Sequence, residues 1–113
     1  MTTFDSSFNI THTQGDTFDK TITVEENGLA INWAASGYAS GKCYVKQVPS
    51  SLTADLILNV NIGINGQMRL YSTGAVTLSP DTYYYDIQLT KTDASIVTWL
   101  ELKRFKVIQD VTT

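Results

Sequence analysis

Pro80-Asp81-Thr82-Tyr83-Tyr84-Tyr85-Asp86-Ile87-Gln88-Leu89-Thr90 sets a turn directly ahead of a strand with period-two alternation. Successive side chains of a strand point to opposite faces. Tyr83, Tyr85, Ile87 and Leu89 therefore share one face, and Tyr84, Asp86, Gln88 and Thr90 the other. The first face is built for a core. The second is left to water or a partner, and Tyr84 is its one aromatic ring.

The same period recurs outward in both directions. β-branched residues and tyrosines are plentiful where helix formers are sparse, so the chain reads as all-β. Residues 8–13 form a short leading strand, and Gln14-Gly15-Asp16 turns the chain. Residues 17–24 follow with Phe18, Ile22 and Val24 on one face. Lys20 breaks that face, which predicts an edge position or a strand end where its ammonium reaches water. Glu26-Asn27-Gly28 marks a turn before the apolar run 29–33, and residues 34–37 read as a loop of small residues. A strand over 41–48 follows. Leu56, Leu58, Val60 and Ile62 then alternate with Asp55, Ile57, Asn59 and Asn61, leaving Ile57 as an apolar residue on the outer face. Asn65-Gly66 is a hairpin signal. The last strand, about 95–109, changes phase: Val97 and Trp99 share parity with Phe105 and Val107, but Glu101 and Lys103 hold that parity in between. This predicts a β-bulge or bend between Leu100 and Arg104. The pattern is that of an immunoglobulin-like antiparallel β-sandwich of about seven to eight strands. It divides into an N-terminal arm or leading strand (1–13), the sandwich (14–109) and a C-terminal tail (110–113).

Composition narrows the function classes. The 113 residues fit one domain with a real core. A formal charge of −3 and a charged fraction of 17% describe a surface poor in charge, which does not attract phosphate backbones. The one basic cluster, Lys103, Arg104 and Lys106, lies in the final strand rather than on a flexible arm. Nucleic acid is therefore not an expected partner. Neither is a membrane, since no signal-like or membrane-length apolar run occurs. Cys43 alternates with Val45 and reads as a buried, inert thiol.

Chemistry-bearing residues are few. His12 is the sole histidine and Cys43 the sole cysteine, in separate strands, so a nucleophile–base pair or a zinc site lacks parts. His12 reads as an exposed or half-buried strand residue, and a hydrolase would require it within hydrogen-bond reach of a nucleophile. Asp81 and Asp93 read as turn residues and Asp86 as a solvated strand position. Neither a cofactor, a metal site nor a catalytic set is expected. Tyr38, Tyr44, Tyr71, Tyr84, Trp33 and Trp99 are the rings from which a sugar-stacking platform would come, as a coplanar exposed pair beside polar residues.

Gln14-Gly15-Asp16-Thr17-Phe18 near the start, Tyr83 to Leu89 late, and Phe105-Lys106-Val107 before Asp110-Val111-Thr112 carry a resemblance over nearly the full length. The chain resembles small immunoglobulin-like structural proteins of tailed bacteriophages, the modules of baseplate upper proteins and of neck or head-decoration proteins. It departs from that pattern at Asp81 and Arg104, where the family usually has glycine. Tyr83 matches the tyrosine corner of such folds, and Tyr85 takes the core position that antibody domains give to cysteine. The resemblance implies a non-enzymatic virion protein whose partners are other virion proteins and copies of itself; the aromatic rings give the alternative reading, a carbohydrate-binding module that aids adsorption to the host, with a host glycan as ligand. The expected contact residues are Phe4 and Phe8 in the leading segment, Tyr84 and Arg104 on the sheet, and Ile108 and Val111 in the trailing one.

Overall fold

The computed structural model describes residues 2–4, 8–26, 28–35 and 37–109, except the side chains of residues 3, 4, 26 and 100–102. Among the described residues the chain is all-β. The strands are β1 (Thr2–Phe4), β2 (Ile10–Thr13), β3 (Thr17–Thr23), β4 (Glu25–Glu26), β5 (Leu29–Ala30), β6 (Tyr38–Lys46), β7 (Leu56–Ile62), β8 (Gln67–Ala75), β9 (Asp81–Lys91) and β10 (Ile96–Ile108). Eight of them form one sheet in the order β1-β2-β10-β9-β6-β7-β8-β3, while β4 and β5 make a separate small hairpin.

Connectivity forces this sheet to curl. Strands β2 and β3 stand near opposite ends of the order, yet only Gln14, Gly15 and Asp16 link them. The ends must therefore meet, and backbone bonds fasten the seam. Gln14 N donates to Ile108 O and Gly15 N to Val76 O, both at 2.8 Å, while Val76 N donates to Asp16 O at 3.0 Å. The result is nearly a barrel, with two curved layers facing each other across one core. Strand β2 runs parallel to β10, and β10, β9, β6 and β7 pair antiparallel in turn.

The quoted tyrosine strand, β9, lies in the middle of that layer. Its inward row of Tyr83, Tyr85, Ile87 and Leu89 is buried. The Tyr83 hydroxyl donates to Ser79 O at 2.9 Å, the backward bond of a tyrosine corner. Phe105 packs on Phe18 at 5.7 Å between ring centroids and edge-on against Tyr85 at 6.4 Å, joining the two layers. Cys43 and Val45 fill the β6 side, and full burial pushes the Cys43 thiol pKa far up, as an inert core thiol requires. Gly41 sits where β6 meets β9: an added Cβ would lie 2.7 Å from Leu89 Cδ2 and 3.0 Å from Gln88 O, so only glycine fits unshifted.

The phase change in the last strand is resolved by two irregularities. Register shifts fall between Thr98 and Leu100 and between Leu100 and Lys103. Val97 opposes Leu89 and Phe105 opposes Tyr83, so β10 spends two more residues than β9 over this span. Two extra residues restore parity, which is why Phe105 and Val107 regain the buried face.

Some elements differ from the sequence expectation. The leading strand starts at Ile10 rather than at residue 8, because Phe8 has a φ of 63°, which no extended strand accepts. Residues Thr2–Phe4 form an additional strand antiparallel to β2. The apolar run 29–33 yields only the two-residue β5. Trp33 leaves the strand and turns inward, donating Nε1–H to Gln67 O at 3.1 Å. Lys20 does stand on an edge strand, since β3 pairs within the sheet only with β8.

Candidate functional site

Strand direction divides the surface into two ends and an outer wall. At one end lie the turn 14–16, the loop 47–55 and the crossing 76–80. At the other lie the β4–β5 hairpin, the turn 63–66 and the turn 92–95. Large apolar side chains are exposed at both. Val48, Leu52 and Ile108 mark the first end, and Leu29, Ile64 and Ile96 the second; Ile57 is exposed on the wall. Leu52 is 101% exposed, at the tip of its loop.

That loop is held in a set shape. Gln47 N donates to Asp55 Oδ2 at 2.7 Å and Asp55 N to Val45 O at 2.8 Å, pinning its two stems together. Ser51 N donates to Val48 O at 2.9 Å and Ser51 Oγ to Thr53 O at 3.0 Å, shaping the tip. Gln47 Nε2 donates to Asp81 Oδ2 at 2.5 Å, tying the loop to the start of β9. Asp81 Oδ1 also accepts from Thr82 N at 2.7 Å, so Asp81, just ahead of the tyrosine strand, closes this junction.

Beside the loop the outer faces of β6, β7 and β9 form a cleft of about 360 Å³. Register sets its floor: Tyr44 opposes Asp86 on one side and Ile57 on the other. Lys46 and Gln88 complete the strand-borne lining, and Leu52, Thr53 and Ala54 form the rim. Tyr44, Lys46, Asp86 and Gln88 are half-buried.

The expected contact residues do not gather into one patch. Tyr84 and Arg104 are direct cross-strand partners on the wall, with Lys46 on the other side of Tyr84. Arg104 N also donates to Asn9 Oδ1 at 3.1 Å, and Arg104 and Lys106 line a second cleft of about 230 Å³ with Thr82 and Thr11. Phe8 is half-buried and its carbonyl accepts the Tyr85 hydroxyl, so it anchors the leading segment to the core. Ile108 is partly exposed at the first end. Phe4 pairs through its backbone with Ile10, and its side chain lies outside the described part, as does the whole of Val111.

His12 is a correction. Instead of being exposed or half-buried it is fully buried, 5.0 Å from the Phe18 ring and 6.4 Å from Phe105 between centroids. Nε2 lies 2.9 Å from Asp16 O, which only accepts, so Nε2 carries the proton. Nδ1 then accepts from Thr2 Oγ1 at 2.5 Å. Burial lowers the imidazole pKa, against the raising effect of the bond to the Asp16 backbone. A hydroxyl is thus within reach of the histidine, but the imidazole has no exposed surface to offer a substrate. The pair fastens β1 and the β2–β3 turn to the core. β1 joins the sheet only through β2, so the burial of His12 depends on a strand that the sequence pattern does not announce.

The other candidate groups resolve as follows. Asp93 Oδ1 accepts from Ser95 N at 2.9 Å and Ser95 Oγ at 2.5 Å, a turn role. No group of three or more metal-ligating side chains occurs among the described residues. Trp33 is buried and meets Tyr38 and Trp99 edge-on, at 5.9 and 5.5 Å. Arg69 lies 4.2 Å over the Tyr71 ring while it chelates Asp19 through Nε and Nη2 at 2.9 and 2.8 Å. These four rings therefore form no flat exposed platform, and Tyr44 and Tyr84 remain on the wall. Leu52, Lys46 and Gln88 were not legible as site residues; the one signal was a lone leucine inside the polar run Ser50-Ser51-Leu52-Thr53.

Compared with known proteins, the chain matches no family model, no curated protein and no solved structure.

Proposed function

We propose that this chain is a non-enzymatic structural subunit of a tailed-bacteriophage particle, a baseplate, neck or capsid-surface module that binds neighbouring virion proteins and copies of itself. One observation carries the reading: large apolar side chains stand exposed at both ends of a closed, well-packed body, on Leu52 and Val48 at one end and Leu29, Ile64 and Ile96 at the other. A small domain with a complete core has no internal use for them. Such residues become worthwhile when a neighbour covers them, each large side chain contributing about 1.5–3 kcal/mol when fully buried. Two sticky ends on one body favour contacts with two neighbours, as in rings and stacked layers. The inward Lys20 on the edge strand β3 discourages side-by-side growth of the sheet there, which favours the ends as the contact surfaces. The low surface charge and the resemblance of the tyrosine strand to phage structural modules support the same reading.

The test is composition and density of purified particles from the host that carries this gene. The protein is expected in the particle's mass spectrum at a stoichiometry that is a multiple of the local symmetry, with matching density by electron microscopy. Particles that assemble fully and contain none of it overturn the proposal.

A further inference from the structure

We propose that Leu52 of one copy seats in a cleft at the opposite end of a second copy, which makes a head-to-tail contact between identical chains. The inference rests on the self-association contained in the proposed function, and it names the two surfaces that meet. The receiving cleft, of about 410 Å³, lies at the second end between β5 and the turn 63–66. Ala30, Ile31, Ala34 and Ile64 line it, together with the amides of Asn32 and Asn65. Backbone bonds fix its walls: Ile31 N donates to Val24 O at 3.0 Å, Val24 N to Gly66 O at 2.8 Å and Gln67 N to Ile64 O at 3.1 Å. None of the lining side chains ionises, whereas the other described clefts hold Lys46 and Asp86, Arg104 and Lys106, or Lys42. An apolar group that entered one of those would strip water from a charge. In this cleft it takes aliphatic surface out of water on both partners.

The same chain carries an apolar group shaped to enter. Leu52 is wholly exposed at the tip of a loop whose stems and turn are already hydrogen-bonded, while Val48 and Ile108 at that end are partly covered by the body. Both surfaces are therefore preformed, and little order is lost on docking. Charge points to a second copy as the owner of the cleft. Lys46 flanks Leu52, and Arg104 and Lys106 continue along the wall, whereas Asp55 and Asp81 beside them already accept from Gln47. At the cleft the exposed Glu25 stands opposite Ala30, and β4 holds a second glutamate, Glu26. Head-to-tail docking brings the basic flank to the acidic rim; pairing of like ends would bring like charges together. One loop tip in one cleft is a contact of the weak class, burying less than about 1,200 Å².

A weak contact is best read by reversible cross-linking of the purified full chain. Thr53→Cys places a thiol beside Leu52 and Ala34→Cys places one in the cleft; both positions are exposed, and the native Cys43 is fully buried. The two variants are mixed in equal amounts at about 0.5 mM, in the range of a weak Kd, in a glutathione redox buffer. Random collision would make the mixed dimer half of all dimers. Intact-mass spectrometry is expected instead to find it in at least about a tenfold excess over either same-variant dimer. Leu52→Ser added to the Thr53→Cys chain is expected to return the mixture to random proportions. Lys46→Glu in that chain should lower the excess by about twofold to fivefold, and Glu25→Lys in the cleft-bearing partner should restore it. Random proportions in the parent mixture, a predominance of Thr53→Cys dimers, no dimer at all, or an excess that survives Leu52→Ser would each overturn the contact. The parent mixture decides the matter even if a further variant fails to fold. Membership of the particle is read separately from particle composition, so failure of this contact is distinct from failure of the proposed function.

Discussion

Tyr83 and His12 show how differently two side chains can be read in advance. Tyr83 lies in a regular alternating strand just after a turn, so its corner bond follows from local sequence alone. Tyr83→Phe removes only the hydroxyl that donates to Ser79 O. Chemical denaturation is expected to show a loss of about 0.5–1.5 kcal/mol with an unchanged m value; no loss would mean the corner is ornamental. His12 owes its burial to Thr2, Asp16, Phe18 and Phe105, which converge only after the sheet has curled. Its folded pKa lies below the ordinary 6.5 because burial disfavours the imidazolium. As pH falls through 6.5 the unfolded chain takes up a proton that the folded chain refuses. Stability therefore drops between that value and the lower folded pKa, by at most about 1.4 kcal/mol per pH unit, and levels off below it. Asp19, which the Arg69 guanidinium holds below its ordinary 3.8, contributes stability that is lost only as pH falls below that value. Denaturation midpoints taken between about pH 5 and 7 are thus expected to fall with pH in the wild type and to flatten in His12→Gln. Equal slopes in the two proteins would show that His12 does not titrate differently on folding.

At the level of elements, the paired registers explain both what the sequence discloses and what it hides. Alternation located the strands around Cys43, Leu58, Met68 and Tyr85 because each of these strands buries one face. It also exposed the misfit in β10, since an apolar residue on the wrong parity is visible without a structure. That two separate shifts resolve the misfit was not legible, because one bulge or a bend breaks the pattern in the same way. The cleft was hidden for a related reason: Tyr44 and Asp86 are distant in sequence, and only the β6–β9 register makes them neighbours. The double shift yields a parity test. Deleting Glu101 alone leaves one extra residue in β10, so Phe105 and Val107 must leave the core if Val97 keeps its place. Deleting Glu101 and Leu102 together restores even parity. Cooperative thermal unfolding is expected to vanish in the single deletion and to persist, at lower Tm, in the double one; the reverse order would refute the two-shift register. The turn at Asn65 and Gly66 supplies a second test. Gly66 has a φ of 74°, and an added Cβ would lie 2.3 Å from Val24 O. Gly66→Ala is expected to cost at least about 2 kcal/mol by denaturant titration, more than strain at a positive φ alone.

For the whole molecule, the question is whether the two apolar ends meet each other or meet different proteins. An end that binds its own kind makes closed pairs. An end that binds the opposite end of the next copy makes a ring or an open stack. The apolar groups at the two ends are different, Leu52 and Val48 against Leu29, Ile64 and Ile96, and their settings differ too: a clamped loop at one and a two-residue hairpin beside a turn at the other. Unlike surfaces favour the head-to-tail arrangement. Leu52→Glu and Ile64→Glu each place a charge on one end and spare the other, and both positions are exposed, so neither change enters the core. Sedimentation velocity of the wild type is expected to show species that grow with concentration, and each variant alone should remain monomeric. Mixed in equal amounts, the intact second end of Leu52→Glu meets the intact first end of Ile64→Glu, and growth stops at a one-to-one pair. Dimers in either variant alone would instead show that an end pairs with itself. A wild type that stays monomeric at every concentration would assign both ends to other proteins, and would remove copies of this chain from its proposed partners.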